Sequence, residues 1–157
     1  MQNNILMEKQ FEILKANRVI VLKVIENLSL EQLNKIPDGF RNNIAWNVAH
    51  LPVIQQLLCY RLSELKITIS DEMVEKYQKG TAPTKDITQQ ELDEIKVLFL
   101  RQVDEFKEDY TNNKFITYNS YPTSVNVTLN SIDDAIEFNN FHEGLHLGYI
   151  LALKNIV

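Results

Sequence analysis

The chain contains three histidines, His50, His142 and His146, and their placement suits a metal ion. His142 and His146 are four residues apart in a segment with helical patterning. Four residues advance a helix by about 400°, so both imidazoles lie on one face, about 6 Å apart at Cβ. That spacing offers two adjacent ligands to one ion. His50 lies in a second helical segment. Facing helices in a bundle are about 8–10 Å apart, a gap that a histidine from each side plus a metal fills. Three neutral imidazoles leave coordination positions open for water or substrate, as in a catalytic rather than a sealed structural site. A divalent ion so held lowers the pKa of a bound water or thiol, and the thiolate is the nucleophilic form of sulfur. S-transfer and hydrolysis are the reaction classes that follow. The same ligands would serve a non-catalytic, stress-associated metal-binding protein, and a helical interaction module would carry them incidentally.

His142-Glu143-Gly144-Leu145-His146 also matches the H-E-x-x-H helix of zinc proteases. In that class the third ligand usually follows the motif. The residues after His146, LGYILALKNIV, include no His, Asp or Glu. No sheet edge is evident to hold a peptide, so His50 is the remaining third ligand and a protease is disfavoured. Glu143, about 100° around the helix from His142, is the candidate catalytic carboxylate; a salt-bridging glutamate is the plain alternative. Trp46 and Asn47 precede His50 by four and three residues, and Tyr149 follows His146 by three. These are the candidate pocket residues, Asn47 and Tyr149 as hydrogen-bond donors to a bound ligand and Trp46 as a wall, with ordinary packing the competing role for each. Arg61, eleven residues after His50, returns to its side of the helix and can meet an anionic substrate or solvent. Cys59, nine residues after His50, falls about 180° away and reads as a small core residue.

Four long helical patterns must position these groups. The first spans about residues 4–28, with Leu14, Val21, Val24, Ile25 and Leu28 on its apolar side and Glu8, Glu12, Lys15, Lys23 and Glu26 opposite. Ser29 with Gln32 predicts a capping box for a short helix that Pro37-Asp38-Gly39 ends. The second long helix spans roughly 43–66, capped by Asn42 or Asn43. Pro52 lies inside it and predicts a kink close to His50, or a helix broken there. Ser70 opens a further short helix ended by Gly80 and Pro83. Thr88 with Glu91 predicts a capping box for the third long helix, whose Leu92, Ile95, Phe99, Val103, Phe106 and Tyr110 step by three and four. Two brief extended pieces are expected at 115–118 and 125–129, around Pro122. Ser131 caps a fourth helix running almost to Val157. The reading is one all-α domain over 1–157, a four-helix bundle. The long 67–88 and 111–130 connections predict crossovers rather than simple up-down-up-down order.

Composition narrows the partners. Sixteen Lys and Arg against 21 Asp and Glu leave a net charge of −5, which argues against nucleic acid and against an anionic membrane surface. No apolar run approaches 18 residues, so no membrane span is expected. The start MQNNILMEKQ lacks a secretory pattern. The single Cys59 rules out a disulfide within the chain and matches a reduced compartment. A cytoplasmic protein is expected.

With Trp46-Asn47-Val48-Ala49-His50-Leu51 and Phe141-His142-Glu143-Gly144-Leu145-His146-Leu147-Gly148 placed, the chain resembles the DinB-like (DinB/YfiT) superfamily of metalloenzymes. The resemblance extends to Lys79-Gly80-Thr81-Ala82-Pro83 and Phe138-Asn139-Asn140, and covers nearly the whole chain. It implies a four-helix bundle with long crossover connections and a metal site matching His50, His142 and His146 one for one. Zinc, nickel or iron would be the occupant, and a homodimer the assembly. It also implies a small-molecule substrate, with a low-molecular-weight thiol as nucleophile in thiol-dependent transferases and isomerases.

Overall fold

The computed structural model describes the backbone from Gln2 to Val157 and the side chains from Met7 onward. The described residues are mostly helical. The helices are α1 (Gln2–Ile25), α2 (Leu30–Asn34), α3 (Ile44–Gln55), α4 (Asp71–Tyr77), α5 (Gln89–Thr111) and α6 (Ile132–Leu153). Two-residue strands β1 (Tyr121–Pro122) and β2 (Thr128–Leu129) pair antiparallel. Side chains fix the helix starts. Ser29 and Thr88 each form a complete capping box, with Gln32 and Glu91 respectively. Asn43, Ser70 and Ser131 each accept from the backbone amide three residues on, so donors that no helical carbonyl can reach are satisfied.

Two local expectations are corrected. The helix break that Pro52 allowed close to His50 is absent: α3 stays helical through His50 and Pro52 to Gln55. The irregularity follows it, as a π-helical turn over Gln56–Tyr60 and a 3-10 turn over Arg61–Ser63, closed by Glu64 in the left-handed region at φ 61°. Pro52 has no N–H to return to Val48, so the bond it removes lies N-terminal to it, and the wide turn lies on its other side. The extended piece expected at 115–118 is not a strand. Phe115 instead packs edge-on against Tyr60 and Phe106, and the hairpin forms downstream around Pro122.

The long helices pack α1 against α5 and α6, and α3 against the same two. Their directions follow from which halves share a core. One cluster joins Val21 and Ile25 of α1, Ile150 and Leu153 of α6, Ile44 to Leu51 of α3, and Leu92 to Phe99 of α5. The other joins Phe11, Leu14, Ala135 and Ile136 with Ile54, Leu58, Val103 and Phe106. Hence α1 and α6 run one way, and α3 and α5 the other. The connection between α3 and α5 must therefore travel back along the length of the molecule, and α4 lies on that return path.

At the centre lies Arg18 of α1, with no exposed surface. Its guanidinium donates to Glu143 of α6 at 2.7 Å, to Gln55 of α3 at 2.5 Å and to the Phe99 carbonyl of α5 at 2.8 Å, and its carbon lies 4.8 Å from the Phe99 ring centroid. Asn139 donates to the same carboxylate at 3.1 Å. One cation thus ties all four long helices. Removing one partner of a buried pair strands the other charge, at about 3–5 kcal/mol. Glu143→Ala is therefore expected to lower urea stability by about that amount, and the double change Arg18→Met with Glu143→Leu by much less. Equal losses in both variants would show that the pair does not carry this role.

Candidate metal centre

His50 comes from α3, and His142 and His146 come from α6. One ring nitrogen of each lies within 4.8 Å of the others. The contact between helices supplies the convergence: α3 and α6 run antiparallel and pack directly, and the i,i+4 pair faces His50 across the seam.

Hydrogen bonds decide which nitrogens are free. His50 Nδ1 is 2.5 Å from the carbonyl of Tyr77. That carbonyl ends α4, where the helix has no further amide to offer it, and it can only accept. So Nδ1 carries the proton and Nε2 presents a lone pair. His146 Nδ1 is 2.7 Å from Asn47 Oδ1, while Asn47 Nδ2 donates to the Asn43 carbonyl at 2.7 Å. The second bond fixes the amide orientation, so His146 also donates through Nδ1 and frees Nε2. Trp46 stacks on His50, with centroids 4.5 Å apart and planes 19° apart. Its indole Nε1 donates to Thr81 Oγ1 at 3.1 Å and lies 3.3 Å from the Lys76 carbonyl. The segment after α4 is thereby fastened to the histidine helix.

These residues fit a divalent ion. His50 Nε2 and His142 Nε2 are 3.3 Å apart, and two nitrogens on a tetrahedral ion at ordinary bond lengths are separated by about 3.3–3.4 Å. His142 Nδ1 is buried without a hydrogen-bond partner among the described residues, so no neighbour dictates its tautomer. Burial holds all three rings in the neutral, ligating form. It lowers His50 and His146 to about 4, and His142 to about 2, the neighbouring imidazoles adding to the shift at His142 and His146.

The trio opens into a cavity of about 540 Å³. Trp46 lines it, as do Ile54, Leu58, Arg61, Lys79 and Phe138. Of the residues singled out from sequence, Trp46 and Asn47 stand at the histidines, and Arg61 on the cavity wall. Tyr149 does not line the cavity; it packs edge-on against Phe40 at 5.7 Å between centroids. Glu143 does not line it either. Its carboxylate is turned into the core against Arg18, so the residue expected to act as acid or base is placed as an internal counter-ion. Cys59 is fully buried outside the cavity, and burial together with nearby Glu143 pushes its thiol pKa up. The sequence reading missed Arg18; the signal for it is an arginine one turn after Leu14 on the apolar side of α1. It also missed Phe138 as a wall residue, although Phe138 precedes His142 by four as Trp46 precedes His50. Tyr77 and Lys79 gave no signal in helix spacing, because they reach the site from the long connection between α3 and α5.

Two outcomes test the site. The acceptor at Asn47 orients a ligand, and removing such partners typically costs 10–100-fold in metal affinity. Asn47→Ala is expected to show roughly that loss in competition with a chelator, whereas Tyr149→Phe should match the parent. The second outcome concerns pH. The unfolded chain binds protons on these histidines below about 6.5, while the folded rings resist protonation to about 4 and below. The metal-free protein should therefore hold its full stability above pH 6.5 and lose it progressively as pH falls toward 4. His146→Gln should flatten that slope in urea titrations between pH 7 and pH 5.

A search among curated proteins found no match. A family model described as the DinB superfamily matches residues 13–150, a span that includes all three histidines, the whole of α3 and all but the last three residues of α6. On that match the chain belongs to the DinB superfamily.

Proposed function

We propose that the protein is a metal-dependent enzyme binding zinc, nickel or iron on His50, His142 and His146, and that it transfers a small thiol or hydrolyses a small substrate. The observation that carries the reading is a three-imidazole cluster that faces a cavity, with no fourth protein ligand among the described residues. A divalent ion there would supply Lewis acidity sufficient to turn a thiol into its thiolate near neutral pH. The protein's own residues do the rest. Tyr77 and Asn47 hold two of the rings by their Nδ1 protons, and Trp46 walls the site. Ile54, Leu57, Leu58, Leu62 and Phe138 keep one side of the cavity apolar.

The position of Glu143 favours S-transfer over hydrolysis. Hydrolysis in the H-E-x-x-H manner needs that carboxylate as general base, and here Arg18 claims it. A thiol that ionises on coordination needs no separate base. The same fact gives the competing reading, a metal-binding protein without turnover, its one observation. In this proposal the helices form the superfamily's four-helix bundle; the α3–α5 connection crosses over its length, whereas the 111–130 connection, expected to cross as well, joins ends that share one core cluster. A homodimer would bury the uncharged outer face of α6, where Phe141, Leu145 and Tyr149 are exposed. The protein would work in the cytoplasm.

Elemental analysis of protein purified without a histidine tag should find one divalent ion per chain, lost in each of His50→Ala, His142→Ala and His146→Ala. A thiol–electrophile panel should show turnover that a chelator abolishes. Full metal occupancy with no turnover on thiol or ester panels would overturn the enzymatic reading in favour of the binding protein.

A further inference from the structure

We infer that the site selects a substrate with an apolar body and a second anionic group, such as a carboxylate or phosphate, that Arg61 and Lys79 receive; the inference rests on the thiol-enzyme reading above. Three neutral imidazoles bring no charge to offset a divalent ion, and Glu143, the nearest carboxylate in sequence, is neutralised by Arg18. The cavity walls hold no Asp or Glu among the described residues, although acids outnumber bases 21 to 16 in the chain. Their only charged side chains are Arg61 and Lys79, both exposed and without a carboxylate partner among the described residues. The groove on the other face of Trp46 is the contrast: it is lined by Glu72, Glu75, Asp86 and Glu91 around two lysines. Field lines from an uncompensated cation and two basic side chains focus in a low-dielectric cleft. The ligand must therefore bring the balancing negative charge.

The two cations reach the cavity from different segments. Lys79 follows by two residues the Tyr77 carbonyl that holds His50. Arg61 lies eleven residues beyond His50, past the π-helical turn that ends α3. Ile54, Leu57 and Leu58, which lie between His50 and Arg61 in the chain, line the cavity with apolar surface. A ligand anchored at the histidines thus crosses apolar surface before its far end meets Arg61, whose planar fork suits a carboxylate or phosphate.

The test titrates the cobalt-loaded full chain with 6-mercaptohexanoate and with 6-mercaptohexan-1-ol, which share thiol and hexyl chain and differ in terminal charge. Thiol coordination is read from the cobalt visible spectrum, so no turnover is needed. The carboxylate should bind about 10-fold tighter at low ionic strength, and salt should narrow the ratio. Arg61→Gln and Lys79→Gln should each reduce the ratio about three-fold, while Lys23→Gln, on the exposed side of α1, should keep it. Equal binding of the two thiols, or a ratio that neither cavity variant changes, overturns the inference and leaves the thiol reading standing. A cobalt spectrum that neither thiol perturbs overturns that reading and the inference together.

Discussion

The structure turns on the buried guanidinium of Arg18. A charge without solvent must find its partners inside the protein, and a guanidinium with five donors in a fixed plane accepts few arrangements of them. Here it takes the Glu143 carboxylate, the Gln55 amide oxygen and the Phe99 carbonyl at once. Each partner lies on a different long helix, so the plane of one side chain constrains the rotation of the other three about their axes. Apolar packing alone constrains rotation loosely, since a helix can turn by a fraction of a residue and still bury leucines. A polar core of this kind need not add net stability to specify one arrangement.

That constraint bears directly on the histidines. Glu143 is the neighbour of His142 on α6, so fixing the glutamate inward fixes the direction of His142 and, one turn on, His146. Gln55 does the same for α3, five residues after His50. The imidazoles then face each other across the α3–α6 seam with ring nitrogens as close as 3.3 Å. Holding three neutral rings there disfavours their protonation, and the same burial that lowers their pKa values keeps them ready to ligate at neutral pH. Metal affinity and acid sensitivity of the metal-free protein are thus two consequences of one placement.

Much of this was legible in the sequence, and the rest was not, for identifiable reasons. Side-chain caps are local, so Ser29, Thr88 and Ser131 marked helix starts that the structure shares. The i,i+4 pair and the solitary His50 gave the cluster, because helical geometry alone places the first two and only one other histidine exists. The placement of Trp46 and Asn47 beside the histidines followed from their helix face, but Asn47, expected as a donor to a bound ligand, instead accepts from His146 and donates to Asn43. The placement of Tyr149 did not follow, since a three-residue step places a side chain on the same side of a helix without saying which edge, and the edge it takes faces Phe40. Pro52 pointed to an irregularity but misplaced it. The hydrogen bond that proline removes lies N-terminal to it, whereas the π-helical turn lies on the C-terminal side, at Gln56–Tyr60. The family resemblance implied the same three ligands, and the match over residues 13–150 bears out the resemblance itself.

The orientation of Glu143 shows what a motif leaves undetermined. His-Glu-x-x-His on a helix specifies two ligands and a carboxylate about 100° from the first of them. Whether that carboxylate serves the ion or the core depends on what stands opposite it on another helix. With an apolar residue on α1 at the level of Glu143, a buried carboxylate would have no counter-charge, and the least costly response would be rotation toward solvent or the metal. With Arg18 there, the inward position is satisfied by a 2.7 Å ion pair and a further donor from Asn139. The identity of one residue 125 positions earlier in the chain therefore separates an arrangement with a carboxylate beside the three histidines from one in which that carboxylate is spent in the core.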